Sequence, residues 1–266
     1  MMYAAGNIAK CTNNRDDLAA QLMTDADAWV AALGDNAFDH GTAADYTNCY
    51  DPTWGGARKA KTFAAMGNHE YDTGSAIDAF TYFGDRAGPA GLGYFSQDVG
   101  EWHVIVLNTN GTFVSYAAGS PQDQWLAGDL AANTKKCTMA IWHDPMFLSS
   151  ADTPGFTVRS TQKVIWDRLY AADVDVVLNG GQHHYERMAP MNPDGGRDDA
   201  KGIREFNVGT GGESVVAPTA STHPNSEVRS TAFGILQLTL RADGYDWKFL
   251  PIQGQTLDES GTGVCH

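Results

Sequence analysis

Short apolar runs alternate with amphipathic stretches along the whole chain, and this alternation limits the possible folds more than any other feature of the sequence. Apolar runs rich in β-branched residues predict buried strands, whereas apolar residues spaced three to four apart predict helices. Strands alternating with helices are typical of an α/β protein. The predicted strands fall within residues 1–9, 28–36, 61–70, 101–110, 137–145, 173–181 and 203–212, the predicted helices within 15–26, 75–86 and 120–133, and residues 232–252 predict a terminal hairpin.

Length and charge restrict the partners of the chain. The 266 residues show no internal repeat, linker or long charge run, so we expect a single domain over residues 1–266. A formal net charge of −14 excludes a nucleic-acid partner, because phosphate backbones require clustered Lys and Arg. No stretch approaches the roughly eighteen consecutive apolar residues of a membrane span, so we expect no membrane partner. An acidic chain that handles an anionic substrate needs local positive charge, from metal ions, arginine or protonated histidine.

The four cysteines, Cys11, Cys49, Cys137 and Cys265, lack the C-x-x-C spacing of zinc and redox motifs. An even number of cysteines in a chain with few lysines fits two disulfides in an exported protein, so we expect a secreted or periplasmic location. If bridges form, we expect Cys11–Cys49 and Cys137–Cys265; four buried thiols are the alternative. The segment "MMYAAGNIA" lacks the basic and apolar regions of a signal peptide, so we expect the chain to begin directly in its first strand, as after removal of a leader.

Polar, chemically capable side chains follow five of the predicted strands. In open α/β sheets the ligand site lies at the carboxyl ends of the strands. We therefore expect these side chains to converge on one site. They are Asn7, then Asp35 with Asn36, then Asn68 with His69, then His143, and finally His183.

The motifs "LGDNAF", "GNHE", "WHDP" and "GGQHHYER" resemble, in order and spacing, those of the calcineurin-like metallophosphoesterases, close to the purple acid phosphatase branch. The resemblance runs from "AAGNIA" to "GTGVCH". It implies an α/β, four-layer sandwich of two mixed β-sheets flanked by helices. It also implies two metal ions at the strand ends, which clamp the attacking and leaving oxygens of a phosphoester.

Five positions keep the residue that this family uses. Asp35 matches the carboxylate that bridges the two ions, and His183 matches a ligand of the first ion. Asn68 and His143 match ligands of the second ion. His69 matches the histidine that steadies or protonates the leaving group.

Four other positions depart from the family pattern, and the changes at Asn7, Phe38 and Gly181 remove metal-binding capacity. Asn7 replaces a carboxylate of the first site, and Phe38 replaces its tyrosinate. Asp144 replaces a second histidine after His143, and Gly181 replaces a histidine ligand of the second ion. Deliberate substitution of Asn7 or Gly181 is an alternative origin, but the changes at Phe38 and Asp144 favour natural divergence.

The remaining ligands favour at most one well-bound ion. The first site keeps only Asp35, His183 and the neutral amide of Asn7, fewer than the three firm protein ligands typical of catalytic zinc. The second site keeps Asp35, Asn68 and His143. We therefore expect one divalent transition-metal ion (Zn, Fe or Mn) or none.

Three functions follow from these residues. The leading one is a phosphoester hydrolase acting on a small-molecule phosphoester, with His69 as general acid and Tyr185, His184 and Arg187 on the substrate side. The second is a metal-independent enzyme, such as a polysaccharide lyase on an acidic saccharide, with His69 or His183 as base and Tyr185 as acid. The third is a catalytically silent homologue that binds a ligand in the old cleft.

Aromatic residues and lone histidines are mostly expected to be structural. His103, on an apolar strand, is predicted to serve the scaffold. Trp54, in "DPTWGG", is predicted to be the tryptophan most exposed near a cleft, where it would stack on a sugar or aryl group.

Overall fold

Two mixed β-sheets form the centre of the computed structural model, which describes residues 1–149, 157–217 and 222–266. The six-stranded sheet has the order β17-β16-β15-β1-β3-β5 and the seven-stranded sheet the order β14-β12-β13-β11-β8-β7-β6, while β2–β4 and β9–β10 form separate pairs. The strands are β1 Met2–Ala5, β2 Ala9–Lys10, β3 Trp29–Leu33, β4 Ala37–Phe38, β5 Thr62–Ala65, β6 Phe95–Val99, β7 Trp102–Val106, β8 Cys137–Ile141, β9 Phe147–Leu148, β10 Thr157–Val158, β11 Val176–Asn179, β12 Tyr185–Met191, β13 Ile203–Val208, β14 Ser226–Ser230, β15 Gly234–Leu240, β16 Gly244–Pro251 and β17 Ser260–Val264.

The helices are short, and the longest of those described begins with residues that favour a helix N-terminus. Pro121 stands in the first turn of the longest helix, and the Ser120 hydroxyl accepts a hydrogen bond from the Asp123 amide. Among the described residues, no helix has the length and apolarity needed to cross a bilayer. The α-helices are α1 Arg15–Ala20, α2 Ala43–Asp45, α3 Ile77–Phe83, α4 Pro121–Ala132 and α5 Lys163–Ala171; a π-helix spans Tyr46–Tyr50, and 3-10 turns span Gly56–Lys61, His69–Tyr71, Gly84–Ala87 and Ser160–Gln162.

Buried apolar side chains form two clusters. The larger one takes side chains from both sheets, including Phe63, Phe206 and Phe249, and so fills the space between them. The smaller one joins the seven-stranded sheet to α4 and α5, with Trp142 and Trp166 as its largest fully buried members. A parallel sheet buried on both faces reads as continuous apolar runs, which explains why these strands are evident in the sequence.

Parallel pairing aligns the carboxyl ends of the strands that carry the predicted site. In the six-stranded sheet, β1, β3 and β5 are parallel neighbours, with Leu33 opposite Ala65. In the seven-stranded sheet, β8 and β11 are parallel, with Ile141 opposite Leu178. The residues that follow these strands therefore emerge along one edge of each sheet.

The predicted fold class, an α/β arrangement of two mixed sheets with helices, is confirmed. The helix expected over residues 15–26 ends at Ala20, because the chain turns back to enter β3 at Trp29. The sequence did not predict β12, β14 or α5. The first two are antiparallel strands at one side of the seven-stranded sheet, where polar residues and a proline interrupt the apolar pattern.

The prediction that Trp54 is exposed near a cleft is wrong. Its side chain is fully buried, and the indole N–H donates to the backbone carbonyl of Asp16 at 3.3 Å. The indole therefore belongs to the core and is not available to stack on a ligand.

Two disulfides are present, and both expected pairings are confirmed: Cys11–Cys49 and Cys137–Cys265. Cys137 lies in β8 of the seven-stranded sheet, and Cys265 directly follows β17 of the six-stranded sheet. The second bridge therefore links the two sheets covalently and fastens the end of the chain to an inner strand.

We expect the two bridges to contribute unequally to stability. Closing a loop of 128 residues removes more entropy from the unfolded chain than closing one of 38. Replacing Cys137 and Cys265 together with Ala should lower the free energy of unfolding by about 5 kcal/mol, and replacing Cys11 and Cys49 by about 4 kcal/mol. Urea unfolding without reductant measures both; a larger loss from the Cys11–Cys49 pair would contradict the ranking.

Candidate active site

Side chains from both sheets meet at the carboxyl ends of the strands. The Asn7 amide, after β1, donates to the Gly180 carbonyl, after β11, at 2.9 Å. The His143 ring, after β8, donates through Nδ1 to the Leu33 carbonyl at the end of β3 at 2.8 Å. These two contacts join the two sheets at one edge. The structure thus brings the predicted residues after β1, β3, β8 and β11 to a common place.

Asp35 and His143 form the buried centre of this cluster. The His143 Nε2 atom lies 3.2 Å from Asp35 Oδ2, and both side chains are almost fully buried. Burial alone lowers the pKa of His143, but the Asp35 carboxylate overrides it and raises the pKa to about 10. Gly34 permits the approach, since a Cβ there would lie 2.5 Å from the His143 Nδ1 atom. In the absence of other ligands the two residues are an ion pair.

His183 lies beside the Asp35–His143 pair, and polar contacts at its Nδ1 atom hold its ring in place. Its Nδ1 atom is 2.8 Å from the Ser214 hydroxyl and 3.3 Å from a Glu213 carboxylate oxygen. Burial lowers the pKa of His183, and the charges of Glu213 and Asp35 only partly offset this. The ring is therefore neutral near pH 7. With Nδ1 facing acceptors, its Nε2 atom keeps a free lone pair.

Asn7 supplies a buried oxygen without a partner among the described residues. The side chain is fully buried, and Nδ2 is committed to Gly180, which fixes the amide orientation. Its Oδ1 atom then has no hydrogen-bond partner. The backbone of Asn7 has φ 52°, in the left-handed region that Asn tolerates better than most residues. An orphaned buried oxygen marks a position where a cation or water would be bound.

His69 stands at the open side of the cluster, with about a third of its side chain exposed. Its Nδ1 atom contacts the Asp39 carbonyl at 2.8 Å and an Asp72 carboxylate oxygen at 3.0 Å. Its Nε2 atom faces Asp35 Oδ2 at 3.9 Å. The ring also packs against Phe38, which has no oxygen to offer. Asn68, the neighbouring predicted ligand, is exposed at the same strand end.

Glu70 organises the loops that carry these residues, and sequence reasoning missed it. Its buried carboxylate accepts hydrogen bonds from the backbone amides of Asp35, Asn36 and Gly67, at 2.9, 2.7 and 2.7 Å. It also accepts one from the Tyr46 hydroxyl at 3.1 Å. The only sequence signal was its place in "GNHE". Glu213, Ser214 and Arg159 carried no local signal at all.

Gly181, where the resemblance predicts a histidine, stands close to the Asp144 carboxylate. A Cβ at Gly181 would lie 3.0 Å from Asp144 Oδ1 and 3.1 Å from the His143 carbonyl. The same Asp144 oxygen forms an ion pair with Arg159 Nη1 at 2.7 Å. The Asp144 carboxylate, paired with a guanidinium, therefore lies beside Gly181.

Three residues predicted on the substrate side lie elsewhere. Strand alternation turns Tyr185 and Arg187 toward the interior between the sheets, where both donate to the Glu259 carboxylate. Tyr185 is fully buried, so its hydroxyl does not reach the cleft. His184 faces the opposite side, where its Nε2 atom lies 3.2 Å from Glu186. The side chains of His184, Tyr185 and Arg187 thus serve mainly to stabilise the scaffold.

The donors present fit one metal ion better than two. Two ligand atoms about 2.1 Å from the same ion lie roughly 3.0–3.4 Å apart, and the Asp35–His143 separation is 3.2 Å. The His143 N–H donating to a backbone carbonyl is the usual support for a histidine that ligates through its other nitrogen. On the other side, Asn7, Asp35 and His183 would hold an ion without a phenolate ligand, because Phe38 has no oxygen to supply.

Residues 8–185 match the family model described as calcineurin-like phosphoesterase. Probable purple acid phosphatase 20 of Arabidopsis thaliana is 29% identical over 73% of this chain and 50% of that protein. Acid phosphatase type 7 of Homo sapiens is 31% identical over 47% of this chain and 32% of that protein. The chain thus spans half or less of the length of these curated relatives.

Two solved structures share the fold at low sequence identity. The purple acid phosphatase PPD1 from yellow lupin seeds superposes with a TM-score of 0.81, at 19% identity, over 98% of this chain and 53% of that chain. GAP50, described as the anchor in the inner membrane complex of Plasmodium, gives a TM-score of 0.75 at 13% identity, over 100% of this chain and 88% of that chain.

We expect Glu70→Gln to destabilise the protein by about 2–4 kcal/mol. An amide in place of the carboxylate turns an acceptor into a donor that faces buried backbone N–H groups. Glu101→Gln, on the exposed surface, should stay within about 0.5 kcal/mol of the parent. Chemical unfolding of the three proteins measures this. Equal stabilities would show that Glu70 does not organise these loops.

The stability of chelator-treated protein should fall in alkaline solution. Because the pKa of His143 is raised from 6.5 to about 10, its contribution is complete below about pH 6.5 and is lost as the pH approaches 10. His143→Gln should remove this part of the pH dependence. Thermal unfolding between pH 6 and 10 compares the two proteins; identical profiles would contradict the assignment.

Proposed function

The chain belongs to the calcineurin-like phosphoesterase family, and on that premise we propose that it hydrolyses small-molecule phosphoesters with at most one well-bound divalent transition-metal ion. Membership alone does not fix the reaction, because one fold hosts several functions. The observation that carries the proposal is the Asp35–His143 pair, with ligand atoms 3.2 Å apart and the His143 ring fixed through its other nitrogen.

Asp35, His143 and Asn68 are the residues that would hold the ion. They offer a carboxylate, an imidazole and an amide, a set that Zn, Fe or Mn accepts. Bound there, the ion supplies Lewis acidity toward a phosphoryl oxygen. His183 and the orphaned Asn7 oxygen lie on the other side, where the lost phenolate and carboxylate leave a second ion poorly held.

Proton transfer is the part of the reaction that the chain's own residues perform. We assign His183 as the acceptor of the proton of the attacking water, because its ring is neutral and its Nε2 lone pair is free. His69 donates a proton to the ester oxygen as its bond to phosphorus breaks, so that an alcohol and phosphate leave. The contacts of His69 with Asp39 and Asp72 hold its ring for this role.

No observation favours the polysaccharide lyase. That reaction needs Tyr185 as the acid, but the buried Tyr185 hydroxyl donates a hydrogen bond to Glu259. Burial also raises the pKa of Tyr185 well above its usual value. A silent, ligand-binding homologue remains the alternative outcome of the experiment below. The two disulfides support an exported location, outside the reducing cytosol.

Metal content and turnover together test the proposal. Freshly purified protein should contain about one equivalent of a transition metal and cleave an aryl phosphate in a chelator-sensitive manner. His143→Ala should lose both metal and turnover. His69→Ala should keep the metal while kcat falls by about 10²–10⁴, the usual contribution of a general acid.

His266→Ala, on the exposed end of the chain, is the matched histidine control and should retain metal and turnover. Protein without metal and without phosphatase activity would refute the proposal in favour of a silent homologue. Turnover that survives both chelator and the His143 substitution would refute the role of the ion.

A further inference from the structure

The carboxylate beside Gly181 is paired with a positively charged side chain. Asp144 Oδ1 lies 3.0 Å from the place where a side chain at 181 would begin, and Arg159 Nη1 lies 2.7 Å from that oxygen. Asp144 directly follows His143, the proposed ligand. The guanidinium is therefore within two short contacts of the position that carries a metal-binding imidazole in the family pattern.

Within the described part of the chain, the Arg159 guanidinium pairs with one carboxylate, that of Asp144. A guanidinium carries five N–H groups, and this contact is made through one of its nitrogens, Nη1. About a third of the Arg159 side chain is exposed. Its backbone is held, since the Arg159 amide donates to the Met146 carbonyl at 2.9 Å. An anchored, partly exposed guanidinium is suited to a phosphate group, two of whose oxygens it can bind through parallel hydrogen bonds.

An additional cationic side chain at the cluster would offset the negative charge of an incoming phosphate ester. A phosphate monoester brings up to two negative charges to a protein of net charge −14, and a single ion replaces only part of what two ions supply. Lys10, at the other side of the cluster, is already held by Asp39 and Glu213, at 2.9 and 3.0 Å. Among the described residues Arg159 pairs with one carboxylate, against two for Lys10, and so has more capacity for an incoming anion.

We propose that Arg159 binds the phosphate group of the substrate and product, and that Asp144 holds the guanidinium in place and competes with the anion for it. The assignment rests on the proposed phosphoesterase function for its substrate, but binding of phosphate is measurable without turnover. The proposal explains the changes at Gly181 and Asp144 together, because a contact with arginine replaces a contact between a metal ion and an imidazole.

Substitutions of Arg159 and of Asp144 should change the phosphate affinity in opposite directions, which distinguishes this role from a purely structural ion pair. Removing Arg159 removes the anion contact, whereas neutralising Asp144 frees the guanidinium and removes a repelling charge. If the pair only supports the loop, both substitutions break the same bridge and act in the same direction.

Inorganic phosphate is the probe, titrated by calorimetry into full-length, chelator-treated protein. We expect Arg159→Ala to weaken phosphate binding by about 10–100-fold, as loss of a charge-assisted hydrogen bond does. Arg159→Lys should weaken it less, because it keeps the charge but not the fork. Asp144→Asn should tighten phosphate binding about three-fold or more.

Arg168→Ala is the matched control, because Arg168 also pairs with a single carboxylate, Asp123, on the helical side of the seven-stranded sheet. It should leave phosphate affinity unchanged, which separates a local contact from a change in net charge. Weakening by both Arg159→Ala and Asp144→Asn, or equal weakening by Arg159→Ala and Arg168→Ala, would overturn the proposal. So would parent protein that does not bind phosphate.

Failure of the proposed function gives a different pattern. If the protein does not hydrolyse esters but phosphate still binds with these opposite effects, the anion site stands and the hydrolase proposal falls. If turnover is found with kcat and KM unaffected by Arg159→Ala, the hydrolase stands and Arg159 has no part in it.

Discussion

The cluster depends on one buried carboxylate that never faces the cleft. Glu70 accepts three backbone N–H groups, from Asp35, Asn36 and Gly67, and so ties the turn after β3 to the turn after β5. These turns are difficult for a chain to adopt unaided, since Asp35 has φ 51°. The three hydrogen bonds that the Glu70 carboxyl group accepts from backbone N–H groups offset that cost. The orientation of the Asp35 carboxylate follows from this anchoring.

The second constraint is that the two packed sheets must bring the carboxyl ends of their strands together at this place. His143 reaches the Leu33 carbonyl, and Asn7 reaches the Gly180 carbonyl, so each sheet orients a side chain of the other. Close approach is possible because glycine stands at the crossing, where a Cβ at Gly34 would collide with the His143 ring. The same packing that buries the core between the sheets therefore sets the spacing of the site.

The described contacts hold the candidate ligands in place and set two cationic side chains nearby. The supports of His143, His183 and Asp35 are all in place. Around them stand carboxylate pairs with Lys10 and Arg159, one beside Phe38 and the other beside Gly181. A cationic side chain needs no bound metal to supply positive charge, but it acts on an anion through charge and hydrogen bonds and not as a Lewis acid.

The sequence by itself determined the strands of the parallel cores, the class of the fold and the residues that follow each strand, because apolar runs and strand-end positions are local properties of the chain. It could not determine where Tyr185 and Arg187 point, since that depends on which face of β12 packs on the other sheet. Nor could it supply the partners of His183 and Asp144, which come from segments distant in sequence. Only the packing of the two sheets decided which polar residues face the cleft and which hold the scaffold, because those contacts exist only once the sheets have met.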